Sequence, residues 1–252
     1  MIPAQFEYVR PASLDEAIRA LAEGGDEAKV IAGGQSLLIG ARTTHYEVVR
    51  DPLIAAHCGL LAQAAGTVAD PAVRHRGTIG GSLAHADPAG DLPAVVLALE
   101  ATLIATGPEG RREIPAAAFF ADYLTTTLRP GEILTGIQVP KLGNDWGYRY
   151  EKFHRTAQAW AIVGVAALAR RSNGHVAEAR VALTNMGPVP VRAAAVEAAA
   201  AGADASAAAL TAAAAAAADG TNPPADLHGQ PDYRSHLARV LTGRALAAAA
   251  GV

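Results

Sequence analysis

The sequence predicts an α+β protein in two successive parts, and three observations carry that reading. The first part mixes short strands with helices and is interrupted by two glycine pairs, Gly33-Gly34 and Gly80-Gly81. A polar, glycine-containing stretch from Lys141 to Gly147 then breaks the pattern, as a domain boundary does. Beyond it, strand-like segments flank Ser172-Asn173-Gly174-His175, and alanine-dominated, helix-prone stretches follow.

The chain has 252 residues, enough for a sizeable core in one large domain or two modest ones. At 51% hydrophobic and 18% charged it reads as globular rather than disordered. A net charge of −3 with no basic stripe gives nucleic-acid binding no electrostatic support. No apolar run is bulky and long enough for a transmembrane segment. The opening Met1-Ile2-Pro3-Ala4-Gln5-Phe6 lacks the basic and apolar regions of a secretory signal. The single cysteine, Cys58, excludes an internal disulfide and a cysteine-ligated iron–sulfur cluster within this chain, and reads as buried filler.

Taken in order, Ser13-Leu14-Asp15-Glu16 reads as a capping box for a helix that ends at Gly24-Gly25. Lys29 to Ala32 is a short strand running into Gly33-Gly34. Ile39-Gly40-Ala41 resembles a strand end, and a helical segment begins at Thr43. Pro52 to Ala65 continues the helical pattern, with Leu60, Leu61, Ala64 and Ala65 as its apolar positions. Pro93 to Leu99 is expected as a buried helix with Asp91 as its N-cap. Gly107-Pro108-Glu109-Gly110 signals a hairpin, Phe119, Phe120 and Tyr123 read as core aromatics, and Arg129-Pro130-Gly131-Glu132 fits a type II turn. Ile133 to Val139 reads as a strand. In the second part, Tyr148 to Phe153, Trp160 to Arg170 and Val176 to Thr184 predict a three-stranded antiparallel meander. Asn173-Gly174 supplies its type I′ turn. Ala193 to Ala218 predicts two helices divided near Gly202, and Tyr233 to Ala249 a final helix with Leu237, Val240, Leu241 and Leu246 inward.

The chemistry gathers at the glycine pairs. Ala32-Gly33-Gly34-Gln35-Ser36-Leu37 follows a strand, and Thr78-Ile79-Gly80-Gly81-Ser82 repeats its glycines and hydroxyls. Without a Cβ the backbone can approach a ligand closely, and bare N–H groups with neighbouring hydroxyls can converge on an anion. The two stretches read as two walls of one phosphate site, although each taken alone could be a plain turn. The dinucleotide fingerprint G-x-G-x-x-G is not present. Arg74-His75-Arg76 is either a solvated turn or positive charge set near a phosphate or a partner's acidic surface.

These segments together resemble the flavin-binding subunit of molybdenum hydroxylases, the xanthine dehydrogenase family, and within it the medium subunit of the aerobic carbon monoxide dehydrogenase type. The resemblance rests on Phe6-Glu7-Tyr8-Val9-Arg10-Pro11, Ala32 to Leu38, Asp70 to Ser82, Ala86 to Pro93 and Tyr233 to Leu237. It implies a two-lobed FAD-binding domain (PCMH-type) over residues 1–143 and a C-terminal flavoprotein domain over 144–252. It also implies that both glycine loops wrap the FAD diphosphate. Asp91 would contact the polar edge of the flavin, with Lys152 close to the ring and Trp160 beside it. For Asp91 an N-cap role, and for Lys152 and Trp160 plain packing at a domain interface, remain open.

The implied role is electron transfer, from [2Fe-2S] clusters on a small partner subunit through FAD to a quinone or cytochrome. A large partner would hold the molybdenum cofactor, in a dimer of heterotrimers lying in the cytoplasm or at the inner face of the membrane. The alternatives are a subunit that reduces NAD, a non-catalytic scaffold that has lost FAD, or an alanine-rich helical adaptor. On this reading Gly80→Val bleaches the protein and leaves assembly intact. One departure stands out: the family carries a few dozen more residues between the first glycine loop and Ile39. The abrupt join with matching flanks favours a segment absent from the sequence over a real deletion, which would take sheet from the first lobe.

Overall fold

The computed structural model describes residues 36–252 together with Glu23, and the chain divides into two units at Gln35/Ser36. The expected capping box at Ser13, the strand Lys29–Ala32 and the first glycine pair lie outside the described residues.

Strand β1 (Ser36–Gly40) opens the larger unit. Thr44 then caps α1 (His45–Arg50): its hydroxyl accepts from the Glu47 amide while the Glu47 carboxylate accepts from the Thr44 amide, a reciprocal box. Asp51 caps α2 (Pro52–His57), which breaks at Cys58 before α3 (Gly59–Gly66). Leu60, Leu61, Ala64 and Ala65 are all buried, as their spacing predicts. A short α4 (Pro71–Arg74) leads into α5 (Ile79–His85) and α6 (Asp91–Ala98). Every residue of α6 is buried, so it is a core helix with no solvent face.

The hairpin β2 (Thr102–Gly107) and β3 (Gly110–Pro115) follows as predicted. A single-turn α7 (Ala116–Phe119) and the small hairpin β4 (Phe120–Asp122) with β5 (Thr125–Thr126) come next. β6 (Ile133–Pro140) closes a four-stranded antiparallel sheet in the order β1-β6-β2-β3. The register runs from Ser36 opposite Pro140 to Gly40 opposite Gly136. Tyr123 corrects the sequence reading: it sits at the tip of the β4–β5 hairpin, 62% exposed, because Leu124 at φ +51° turns the chain there and carries the ring outward. Phe119 alone of the three aromatics is fully buried.

The meander is β7 (Trp146–Phe153), β8 (Val163–Ser172) and β9 (His175–Thr184), with a two-residue β10 (Val191–Arg192) added beyond β9. Asn173 and Gly174 both take positive φ, as the type I′ turn requires. β8 is buried along both faces. Ala166 and Leu168 join the core that contains α6, whereas Val165, Ala167 and Ala169 join the core beneath the final helices. Those helices are α8 (Ala194–Ala200), α9 (Ala207–Ala214) and α10 (Pro231–Ala250). Leu237, Leu241 and Leu246 point inward and Val240 is half-buried. Hydropathy does not foretell Arg234, which is fully buried in α10. Its guanidinium donates to the carbonyls of Ile162 and Gly229 and pairs with Asp226 at 2.6 Å. Cys58 is buried, and burial first, with the nearby Asp51 charge, pushes its thiol up to about 12, leaving an inert side chain.

His45 is buried at the start of α1 with Nδ1 unpaired, and burial, with Arg74 adding to it, lowers its pKa to about 4. The unfolded chain takes up a proton near the ordinary value of about 6.5, whereas the folded chain resists until about 4. Stability therefore falls as pH drops through that window. Urea midpoints measured between neutral pH and pH 4 should decline, and His45→Gln should flatten part of that decline.

Candidate functional site

The second glycine pair lies inside the first turn of α5. Thr78 caps the helix in an extended conformation, and its hydroxyl accepts from the Gly81 amide at 3.0 Å. The Ile79 amide donates to Thr43 O, the Gly80 amide to Ala41 O and the Ser82 amide to Thr78 O. Four successive amides are thus closed within the chain. The expectation of bare main-chain nitrogens here is corrected, because the exit from β1 and the helix's own cap take them.

The two glycines divide their roles. Gly80 faces inward, and a Cβ on it would lie 2.5 Å from the Ala41 Cβ and 2.6 Å from the Ala41 carbonyl oxygen. It is glycine so that the chain after β1 can cross the helix. Gly81 faces outward and is exposed, and a Cβ there would meet only the Thr78 hydroxyl, at 2.9 Å. Thr78, Gly81, Ser82 and His85 follow i, i+3, i+4, i+7 spacing and form the outer row of α5.

The other expected residues fall in four places. Ala32, Gly33, Gly34 and Gln35 lie outside the described residues. Ser36 and Leu37 open β1, where the Gln138 side-chain amide donates to Ser36 Oγ at 3.0 Å and Leu37 pairs opposite Val139. Asp91 is the first residue of α6, and Gly90 takes the cap position, which corrects the N-cap reading. The Asp91 side chain turns inward instead. One oxygen accepts from Lys152 Nζ at 2.8 Å and the other from the Tyr150 hydroxyl at 2.7 Å.

Lys152 also donates to the Thr67 carbonyl, and the Tyr150 amide donates to the Gln63 side chain. Burial raises the Asp91 carboxyl, opposed by Lys152 and the Tyr150 hydroxyl. Burial and the adjacent carboxylate push the Tyr150 phenol well above its usual range. The sequence reading finds Asp91 and Lys152 but misses Tyr150 and Gln63. Strand alternation is the signal that finds Tyr150, since Tyr148, Tyr150 and Lys152 share a face of β7.

Trp160 precedes β8 rather than lying in it. It is 57% exposed, with its ring 6.5 Å from that of His85. In the Arg74-His75-Arg76 run, Arg74 staples the carbonyls of Val68 and Ala69, and His75 stacks on Tyr46 at 3.8 Å. A cavity of about 230 Å³ lies between His57, Gly59, Leu142, Trp146 and Tyr148, with no wall from α5.

Comparison with known proteins gives this geometry a family. Residues 35–142 match the family model described as FAD binding domain in molybdopterin dehydrogenase. Residues 148–249 match that of the CO dehydrogenase flavoprotein C-terminal domain. The carbon monoxide dehydrogenase medium chain of Hydrogenophaga pseudoflava is 37% identical, over 99% of this chain and 98% of its own. The glyceraldehyde dehydrogenase medium chain of Sulfolobus acidocaldarius is 32% identical, over 97% and 98%. Among solved structures, carbon monoxide dehydrogenase from H. pseudoflava lacking the Mo-pyranopterin moiety superposes with a TM-score of 0.83 at 38% identity, covering 99% of this chain and 98% of that one. Quinoline 2-oxidoreductase from Pseudomonas putida 86 gives 0.83 at 30% identity, covering 88% and 78%.

The class is therefore an α+β flavoprotein component of an oxidoreductase. The chain belongs to the FAD-binding medium subunits of molybdenum hydroxylases of the carbon monoxide dehydrogenase type. The alignment to the H. pseudoflava chain runs over 282 residues, 30 more than this chain contains, so that relative carries residues with no counterpart here.

The outer row of α5 fits FAD. On the outward side of Gly81 only the Thr78 hydroxyl comes close to where a Cβ would stand, and the hydroxyls of Thr78 and Ser82 donate to no other group among the described residues. Gly80→Val should cost about 1–3 kcal/mol or more through overpacking against Ala41, read as a lowered urea midpoint, whereas Gly81→Val, which displaces only the Thr78 hydroxyl, should lower it less. Lys152→Met should cost about 3–5 kcal/mol, because it leaves the Asp91 carboxylate buried without its cation, and the same unfolding curves measure it.

Proposed function

We propose that this chain is the electron-transfer subunit of a multi-subunit molybdenum dehydrogenase, passing electrons from iron–sulfur clusters on a small partner subunit to an external acceptor such as a quinone or cytochrome. Its kinship with the H. pseudoflava medium chain, which runs nearly end to end on both sides, is the observation that carries this reading. A large partner would hold the molybdenum cofactor, and two such heterotrimers would pair. Among the described residues no helix is long and apolar enough to cross a membrane. The complex would work in the cytoplasm or at the inner face of the membrane.

FAD, when bound, supplies the redox chemistry and accepts or releases electrons singly or in pairs. This chain's residues bind and orient it. The Thr78 and Ser82 hydroxyls donate to a diphosphate oxygen, where each charge-assisted hydrogen bond contributes about 1.5–3 kcal/mol. Gly81 lets that oxygen approach. Asp91 would meet the polar edge of the flavin, with Lys152 close to the ring and Trp160 beside it. We also infer a domain division into 1–143 and 144–252, with the residues missing relative to the family falling at the Leu38–Ile39 join.

Co-expression with the partner subunits, followed by flavin and metal analysis, tests the reading. The expected result is one FAD per medium subunit, bleached by substrate and restored by a quinone or cytochrome but not by NAD. A complex assembled without flavin, and taking up none when FAD is added, would overturn it.

A further inference from the structure

We propose that His85 is a flavin-ring contact that forms the ring-binding end of the site together with Trp160; this rests on the flavoprotein reading above. Thr78 and His85 stand at opposite ends of the outer row of α5. They are seven positions apart, about 10 Å along the helix axis. A ligand with its phosphate at the Thr78 and Ser82 hydroxyls, and a ring one sugar-like arm further on, brings that ring against His85. Within α5 only Gly81, Ser82 and Ala84 lie on this side between the two ends, all of them small.

Exposure at the far end is what needs explaining. The His85 side chain is 56% exposed, and its ring lies beside the outward-facing indole of Trp160 at an interplanar angle of 42°. Large aromatic surface is ordinarily buried, and two such rings side by side offer a planar ligand apolar contact and stacking.

The chain also shapes the surroundings of the imidazole. Ala86 ends α5 in the left-handed region at φ +54°, a conformation that disfavours side chains with a Cβ. That turn brings Asp87 back beside the helix end, its carboxylate 3.8 Å from His85 Nε2. The Asp87 carboxylate is itself fixed, because the Ala89 amide donates to it at 2.8 Å while the Gly90 amide donates to the Asp87 carbonyl. His85 thus ends the helix beside an anchored carboxylate, and its exposed imidazole is free to donate to the ring's polar edge.

The test is FAD titration of the flavin-stripped full chain in its complex, for wild type, His85→Ala, Asp87→Asn and Trp160→Phe. Readouts are Trp fluorescence, the flavin absorption envelope and the flavin midpoint potential. His85→Ala is expected to weaken FAD binding about tenfold, and to shift both the absorption envelope and the potential. It should leave the thermal midpoint of the flavin-free protein unchanged, because the side chain is largely exposed. Asp87→Asn should show a smaller change of the same sign, and Trp160→Phe should remove most of the fluorescence quenching that FAD causes. A His85→Ala variant with wild-type affinity, spectrum and potential overturns the assignment. A wild-type complex that takes up no FAD overturns the flavoprotein reading, and the role of His85 with it.

Discussion

The structure turns on a carboxylate held out of water. Asp91 opens α6, a helix with no exposed face, and its two oxygens are taken by the Lys152 ammonium and the Tyr150 hydroxyl. Lys152 reaches on to the end of α3 through the Thr67 carbonyl, and the Tyr150 backbone reaches α3 through Gln63. Three elements distant in sequence are therefore tied at one polar knot inside an apolar core. Such a knot adds little net energy when complete, because desolvation offsets attraction, but it is costly to leave incomplete. It fixes how β7 and the meander sit against the helices that carry α5, and so sets the frame in which Thr78, His85 and Trp160 share one face.

Around that knot the chain spends glycine on two different problems. Gly80 solves a packing problem, since the backbone leaving β1 passes too close for any side chain. Gly81 faces the outside of the same helical turn, where a Cβ would crowd only the capping Thr78 hydroxyl. Adjacent identical residues thus answer to opposite sides of one turn. A loss of flavin in a Gly80 variant would report a damaged fold before it reported a damaged binding site.

Much of this was legible in the sequence. Alternation in Tyr148 to Phe153 and the Asn173-Gly174 pair specify the meander, because strand period and positive φ are local demands. The buried positions of α3 follow from spacing alone. What the sequence concealed depends on long-range closure. Nothing local tells that the amides of Ile79 and Gly80 are taken by Thr43 and Ala41, some forty residues earlier, or that Arg234 is buried on carbonyls of another element. Tyr123 looked like core by its type and lies exposed because a left-handed residue follows it. Asp91 looked like a cap by its position and became the centre of the core instead.

Trp160 is exposed, yet the chain beside it is anchored: the Asn185 side chain donates to the Ala161 carbonyl and Arg234 to that of Ile162. A loop pinned this way has little conformational freedom left to surrender when something settles on its indole. Anything settling there would meet a smaller ordering cost, since part of it was met when the chain folded. The buried arginine of the last helix therefore acts at a distance, as the stiffener of a segment whose exposed indole it never touches.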